Sequence, residues 1–277
     1  MQKRAFGQTG RDLPIIGQGS WKIDESDPAA ATAALVRGID AGMTHIDTAE
    51  MYGDAEDVVG AAIRGRRDQV FLVSKVMPHN ASRAGVAAAC ERSLARLGTD
   101  RLDCYLLHWR GRHPLAETFA GFEDLVAQGK ILSWGVSNFD EDDLDEALAI
   151  AGPRRIACNQ VLYHLGERAI EHAVMPWCER HQVAVVGYSP FGQDDFPGPA
   201  TARGRLLADI AAAHGATARQ VALAALAQRA FVIPKASSAA HAADNAGAGD
   251  LVLGADALAR IDAAFPRGPR PSRLPML

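Results

Sequence analysis

The sequence lacks long apolar runs, and residues 1–11 have no apolar core of the kind that a signal peptide carries. No stretch approaches the ~18 apolar residues that a membrane-spanning helix needs. The formal charge is −4 over 277 residues, which gives no reason to expect a nucleic acid or an anionic membrane as partner. These absences predict a cytoplasmic protein that binds neither nucleic acid nor membrane.

Cysteine is also scarce. Cys90, Cys104, Cys158 and Cys178 are far apart, and no C-x-x-C pair occurs. Free thiols in apolar segments explain them better than disulfides or a metal site. The histidines do not show the short spacing that zinc ligands require, and we expect no bound metal.

Two nucleotide-binding signatures are absent as well. Gly17-Gln18-Gly19 lies at the end of the first strand-like segment, but Lys22 stands where the third glycine of a G-x-G-x-x-G motif would be. No P-loop occurs. A doubly wound open sheet, the main rival for an alternating α/β pattern, is therefore disfavoured.

Strand-like and helix-like segments alternate from one end of the chain to the other. The eight predicted strands are residues 15–18, 44–47, 70–75, 102–107, 131–136, 156–160, 183–188 and 231–233. The predicted helices are residues 29–41, a helix after Asp54, a helix from Ser82 to Gly98, residues 115–128, a helix after Asp140, a helix around 170–180, and residues 205–214, 218–228 and 239–246. A hairpin of residues 4–6 and 12–14 precedes them, and a further helix, residues 255–265, follows. We predict a single domain over residues 1–277, a (β/α)8 TIM barrel with an amino-terminal β-hairpin and an extra carboxyl-terminal helix.

Residues 189–203 are rich in Gly, Pro and Asp and have no apolar periodicity. They predict a long surface loop, and loops of this length inside a compact domain are usually functional. Two helices follow the loop, and the second begins with a capping box formed by Thr217 and Gln220.

Three consecutive strands deliver residues that can carry chemistry. Asp47 ends the second strand and Tyr52 follows it, Lys75 ends the third strand, and His108 follows the fourth. In a parallel barrel the carboxyl ends of the strands form the catalytic rim. A phenol with a pKa near ~10 is a weak acid at neutral pH, but a neighbouring ammonium stabilises its phenolate. With Asp47 holding Lys75 and a neutral His108 donating to a substrate oxygen, the four residues predict a site for carbonyl reduction.

Ordered motifs along the chain resemble those of the aldo-keto reductases, with bacterial members the most similar. They are HIDTAEMYGD, VFLVSK, LDCYLLHW, GKILSWGVSNF, CNQVLYH, VVGYSPFG and FVIPKASSAAHAADN. The resemblance covers essentially the whole chain and implies an NAD(P)H-dependent aldehyde reductase or alcohol dehydrogenase. It identifies Asp47, Tyr52, Lys75 and His108 with the family's catalytic tetrad, in which Tyr52 is the general acid. It implies NADPH as cofactor, with NADH possible, and a small aldehyde or ketoaldehyde resembling methylglyoxal as substrate.

The resemblance also implies cofactor contacts. Ser137, Asn138 and Gln160 match positions that hold the nicotinamide carboxamide, and Tyr188 matches the aromatic residue that stacks on the nicotinamide ring. The other implied cofactor contacts are Gly19, Ser20, Trp21, Ser189, Pro190, Phe191, Lys235, Ser237, Ser238, His241, Asp244 and Asn245. The loop after Ser189 matches the segment that folds over the pyrophosphate. Trp21, Met77 and Trp109 are expected around the substrate pocket.

Two positions depart from the family pattern. His241 stands where many members have Arg, and Ala236 stands where many have Ser. Arginine grips a phosphate through a planar fork, whereas histidine is a weaker and partly neutral partner. The preference for NADPH over NADH is therefore open, although Lys235 still offers a positive charge.

Two functions of other classes remain as alternatives. A metal-dependent barrel hydrolase needs acidic and histidine ligands at several strand ends, which the chain does not supply. A regulatory or interaction subunit that binds cofactor with little turnover is the other alternative, and the intact tetrad argues against it. We expect a monomer whose partner is a small carbonyl compound.

Overall fold

The chain begins with an antiparallel hairpin, β1 (Lys3–Ala5) and β2 (Asp12–Pro14), in the computed structural model, which describes residues 1–193 and 195–277. Phe6, directly after β1, is fully buried. Its ring packs against the rings of Phe71, Phe231 and His45, with centroids 5.0, 5.2 and 5.5 Å away. These three residues begin strands of the main sheet, so the hairpin closes the amino-terminal end of that sheet.

Eight parallel strands pair in chain order to form the main sheet. They are β3 (Gln18–Gly19), β4 (His45–Asp47), β5 (Phe71–Val76), β6 (Cys104–Leu107), β7 (Trp134–Ser137), β8 (Ile156–Leu162), β9 (Ala184–Tyr188) and β10 (Phe231–Ile233). Parallel bridges from Ile16 to Val232 and from Gly19 to Lys235 join the first strand region to the last. The sheet therefore forms a barrel, which confirms the predicted fold class.

Helices follow the strands around the outside of the barrel. They are α1 (Pro28–Asp40), α2 (Ala55–Ile63), α3 (Arg83–Leu97), α4 (Leu115–Ala127), α5 (Glu141–Ala151), α6 (Val174–His181), α7 (Ala202–His214), α8 (Ala218–Leu226), α9 (Ala239–Gly247) and the predicted extra helix α10 (Ala255–Ala264). Their apolar faces pack on the sheet: Trp134 of β7 stacks on Phe119 of α4 with ring centroids 4.6 Å apart. Within residues 1–193 and 195–277, no helix is both long enough and apolar enough to cross a membrane.

The first barrel strand and the start of α7 differ from the prediction. Pairing with β4 begins at Gln18, whereas the predicted strand at residues 15–18 bonds mainly to β10 through Ile15 and Gly17. Helix α7 begins at Ala202 rather than at residue 205, because the Thr201 hydroxyl accepts a hydrogen bond from the Gly204 N–H at 2.9 Å. The loop after β9 is correspondingly shorter than residues 189–203, and Asp194 within it lies outside the described residues.

The capping of one helix and the start of another were also predicted incorrectly. Asp54 precedes α2, but its side chain makes no capping hydrogen bond. Its backbone, with φ −87° and ψ 12°, does not have the extended conformation that brings a capping side chain over the first turn. The helix predicted around residues 170–180 begins at Val174, after a separate 3-10 turn over Ala169–Glu171.

Candidate active site

A cavity of about 570 Å³ lies at the carboxyl ends of the barrel strands. Its wall contains Gly19, Ser20, Trp21, Lys22, Asp47, Met51, Tyr52, His108, Trp109, Ser137, Asn138, Gln160, Tyr188, Ser189, Pro190, Phe191, Gly192, Gln193, Phe196, Arg219, Ile233, Lys235 and Leu277. Contributions from β3, β4, β7, β8 and β9, and from residues just after β6 and β10, make this the rim on which a parallel barrel carries its chemistry.

Lys75 lies in β5 and is completely buried beneath this cavity. Its Nζ donates to Asp47 Oδ1 at 2.5 Å and to the Thr48 carbonyl at 2.9 Å. Burial disfavours the ammonium, but the charge of Asp47 and the nearby Tyr52 outweigh burial and raise the pKa of Lys75. Burial also raises the pKa of Asp47, and Lys75 and Gln160 oppose that rise. Lys75 is therefore a cation at neutral pH.

Tyr52 lies in the turn between β4 and α2, and its hydroxyl reaches the same point. The hydroxyl is 3.4 Å from Lys75 Nζ and 3.4 Å from His108 Nε2. Burial raises the pKa of Tyr52, and the charge of Lys75 acts in the opposite direction. The hydroxyl thus stays protonated at neutral pH, beside a cation that stabilises its conjugate base.

His108 directly follows β6 and is largely buried. Burial, together with the charge of Lys75, lowers the pKa of His108 to about 2, so the ring is neutral over the working pH range. Its ring meets that of Tyr52 edge to face, with centroids 5.5 Å apart, and its carbonyl accepts from Asn138 Nδ2 at 3.1 Å. A neutral ring with Nε2–H is a hydrogen-bond donor toward the cavity.

Amide and hydroxyl side chains form the adjoining wall. Gln160 Nε2 donates to Asp47 Oδ2 at 2.7 Å, and the Ser137 hydroxyl donates to the Gln160 carbonyl at 2.8 Å. The Tyr188 hydroxyl donates to Asn138 Oδ1 at 2.9 Å. The structure therefore brings the four residues predicted at the nicotinamide next to the tetrad.

Strained backbone is concentrated at the cavity. In the described part of the chain, five non-glycine residues have positive φ, and three of them line the cavity: Lys22 at 60°, Asn138 at 59° and Ser189 at 49°. Such conformations cost energy and persist where the surrounding structure holds them, typically at functional sites. The loop after β9 thus leaves the rim through a constrained residue.

The predicted cofactor residues after β10 are only partly in the cavity wall. Lys235 lines it, whereas in the described residues Ser237, Ser238, His241, Asp244 and Asn245 do not. They lie at or within α9, which Ser238 caps by accepting from the His241 N–H at 3.2 Å.

The pocket mouth is formed by a different set of residues from the one predicted. Trp21 and Trp109 line it as expected, but Met77 is not part of the described wall. The backbone N–H of Met77 is held by Glu50 Oε1 at 2.6 Å at the start of a 3-10 turn. Met51 and Leu277 line the cavity instead.

Sequence reasoning missed a buried carboxylate that contacts β5, the strand of Lys75. Glu56 of α2 is fully buried and accepts from the Ser74 hydroxyl at 2.6 Å and from Arg96 Nε at 2.7 Å. Ser74 precedes Lys75 in β5, so this network fixes the strand that carries the lysine. The signal was present, because Glu56 shares the helical face of Val59 and Ile63.

The fold and the site together define a class: a (β/α)8 barrel in which a tyrosine hydroxyl lies between a buried lysine–aspartate pair and a neutral histidine. Residues 15–265 match the model of the Aldo/keto reductase family, and the chain belongs to that family.

Curated and solved proteins are similar along the full length. Methylglyoxal reductase YeaE of Escherichia coli (strain K12) is 46% identical over 273 residues, which are 96% of this chain and 96% of that protein. A crystal structure of an aldo/keto reductase from Klebsiella pneumoniae in complex with NADP and acetate has a TM-score of 0.94 at 44% identity, over 100% of both chains. A second structure of an aldo-keto reductase from Klebsiella pneumoniae, in complex with NADPH, has a TM-score of 0.93 at 44% identity, also over 100% of both chains.

Proposed function

We propose that this protein reduces small aldehydes and ketoaldehydes, methylglyoxal among them, to alcohols with NADPH. The observation that carries the proposal is the position of the Tyr52 hydroxyl, 3.4 Å from both Lys75 and His108 at the rim of the cavity. The named activity of YeaE and the bound NADP and NADPH of the Klebsiella proteins support it.

The cavity wall fits a nicotinamide dinucleotide. The Ser20 hydroxyl is buried in this wall, and among the described residues it has no hydrogen-bond partner. Amides of Asn138 and Gln160 line the wall, and Lys22, Lys235 and Arg219 bring positive charge to it. A volume of about 570 Å³ is in the range of cofactor sites.

Specific residues would hold the two halves of the cofactor, which when bound supplies the hydride. Ser137, Asn138 and Gln160 would hold the carboxamide and Tyr188 the nicotinamide ring. The remaining proposed contacts are Gly19, Ser20, Trp21, Ser189, Pro190 and Phe191 along the pyrophosphate, and Lys235, Ser237, Ser238, His241, Asp244 and Asn245 around the adenosine.

The tetrad then transfers the proton to the substrate. A substrate carbonyl oxygen beside Tyr52 and His108 accepts a hydrogen bond from each, which orients and polarises the carbonyl. The Tyr52 hydroxyl transfers its proton to that oxygen as the alcohol forms. The phenolate left behind faces the Lys75 ammonium, which stabilises it until a proton returns from solvent.

The mouth of the cavity supports small substrates with an apolar part. Trp21, Met51, Trp109 and Leu277 present apolar surface beside Tyr52 and His108, whereas the polar groups are concentrated at the strand ends. A small ketoaldehyde would place one carbonyl at Tyr52 and the rest of its atoms between these side chains.

Tyr52→Phe tests the proposal because it keeps the ring and removes the acid. Reduction of a panel of aldehydes, followed by loss of reduced-nicotinamide absorbance, should fall ~10²–10⁴-fold, while cofactor binding survives. Tyr105→Phe is the matched control: Tyr105 is buried outside the cavity wall, and its hydroxyl has no partner in the described residues. Near-full activity of Tyr52→Phe excludes Tyr52 as the proton donor.

The same assay separates the enzyme from its alternative. A wild-type protein that binds NADPH but turns over no aldehyde of the panel would instead be a cofactor-binding regulatory or interaction subunit.

We also propose that residues 1–277 act as one monomeric domain in the cytoplasm, without nucleic acid as a partner. Four buried free cysteines support a reducing compartment. Size-exclusion chromatography with light scattering tests the monomer.

A further inference from the structure

The cavity wall carries cationic side chains that are not part of the tetrad. The tetrad comes from β4, β5 and β6 and the residues that follow them, whereas Lys235 follows β10 and Arg219 lies in the first turn of α8. Both Lys235 and Arg219 line the cavity wall. Lys22 lines it as well. Cationic side chains in a cavity wall favour an anionic group of the ligand.

Arg219 lies against the loop that follows β9. The central carbon of its guanidinium is 4.6 Å from the ring centroid of Phe191 and 4.9 Å from that of Phe196. The two rings themselves pack edge to face, with centroids 5.6 Å apart. A guanidinium at such distances is attracted to aromatic rings. Its N–H groups lie in the plane of the guanidinium, so they can donate to a phosphate as a fork.

Hydrogen bonds fix the start of α8 beside α9. The Thr217 hydroxyl donates to the Asp244 carboxylate at 3.2 Å, and Gln220 Nε2 donates to the Asp244 carbonyl at 2.9 Å. Arg219 stands between these two residues in the sequence. It is therefore held next to the helix whose residues are proposed to surround the adenosine.

His241 differs from Arg219 in its position relative to the cavity. It is exposed, its backbone N–H donates to the Ser238 hydroxyl, and it is not part of the described cavity wall. His241 therefore brings no forked donor to the described wall, whereas Arg219 brings one from α8.

We propose that Arg219 selects NADPH over NADH by donating from its guanidinium to the 2′-phosphate of the adenosine, with Lys235 as the second cation. This inference rests on the proposed function and concerns the adenosine end of the cavity alone. Removing Arg219 should therefore weaken the binding of an adenosine that carries a 2′-phosphate. The binding of an adenosine without a 2′-phosphate should stay nearly unchanged.

Titration calorimetry of the full chain with adenosine 2′,5′-bisphosphate and with adenosine 5′-monophosphate tests this without catalysis. Arg219→Met should weaken bisphosphate binding roughly tenfold or more and change monophosphate binding little. Arg219→Lys, which keeps the charge but loses the fork, should fall in between. The difference between wild type and Arg219→Met should shrink at high salt, because Arg219 is exposed.

Arg203→Met is the matched control. Arg203 also lies over an aromatic ring, that of Phe265 at 5.1 Å, but it is not in the described cavity wall. Its replacement should change neither affinity. Unchanged bisphosphate binding by Arg219→Met overturns the proposal, and so does equal weakening of both ligands, since Arg219 would then act only on the loop.

Failure of the proposed function gives a different result. If wild type reduces aldehydes with NADPH while Arg219→Met binds the bisphosphate normally, the role of Arg219 alone is overturned. If wild type reduces no carbonyl and binds neither nucleotide, the proposed function and the inference fall together.

Discussion

Replacing Lys75 with methionine leaves the buried Asp47 carboxylate without its cationic partner. The side chains of Lys75 and Asp47 are 0% and 3% exposed. After Lys75→Met, the Asp47 carboxylate keeps the hydrogen bond from Gln160 but loses its cation. Breaking a buried pair on one side costs about 3–5 kcal/mol. Domains are stable by about 5–15 kcal/mol, so the variant should fold with a much lower free energy of unfolding.

A second substitution separates stability from chemistry. In Lys75→Met/Asp47→Asn no charge remains to be buried alone, so the free energy of unfolding should recover by about 2 kcal/mol or more. Activity should not recover, because no cation faces the phenolate of Tyr52. Urea unfolding by circular dichroism measures the first quantity, and aldehyde reduction measures the second.

Two results would refute this reasoning. If Lys75→Met costs less than about 1 kcal/mol, Asp47 is not left as an unpaired buried charge. If the double variant is no more stable than Lys75→Met, the loss comes from packing of the lysine stem rather than from charge.

Two further predictions concern pH and cofactor choice. Because the pKa of His108 is about 2 and that of Tyr52 is raised by burial, kcat/KM for reduction should be flat from about pH 5 to 9 and fall only at higher pH, where Tyr52 loses its proton. Alcohol oxidation, which needs the phenolate, should rise over that same high range, and parallel profiles in the two directions would contradict the role of Tyr52. His241→Arg should tighten NADPH binding roughly tenfold in fluorescence titrations, with little gain in affinity for NADH. The gain in NADPH affinity should be larger when Arg219→Met is also present. An equal gain for both cofactors would mean that residue 241 is not near the 2′-phosphate.

The barrel could be predicted from the sequence because its signals are local and repeated. Each strand is a short apolar run, and helices such as α3 and α5 begin at a capping Ser82 or Asp140 whose side chain accepts the expected hydrogen bond. The failures have conformational causes. Asp54 has a capping residue type but lacks capping backbone angles, and the cap at Thr201 is hidden in a segment rich in Gly and Pro.

The tetrad could be predicted from the sequence for a related reason. A parallel barrel brings the carboxyl ends of all its strands to one rim, so residues that end or follow consecutive strands must meet there. Arg219 follows no such rule. It reaches the cavity from a helix outside the sheet, and it is held by Phe191 and Phe196 of an irregular loop. Contacts of this kind depend on the path of the loop, which apolar periodicity does not describe.

Burial explains why the four residues of the tetrad depend on further hydrogen-bond partners. An ammonium as deeply buried as that of Lys75 requires Asp47, and the second oxygen of Asp47 requires a donor, which is Gln160. The Gln160 carbonyl is in turn engaged by Ser137. One N–H of Gln160 Nε2 is thus engaged by Asp47, which leaves Oε1 and the second N–H for a ligand amide. The tetrad and the proposed cofactor contacts therefore share a residue, and a change at Gln160 should alter the charge balance around Lys75 as well as the cavity wall.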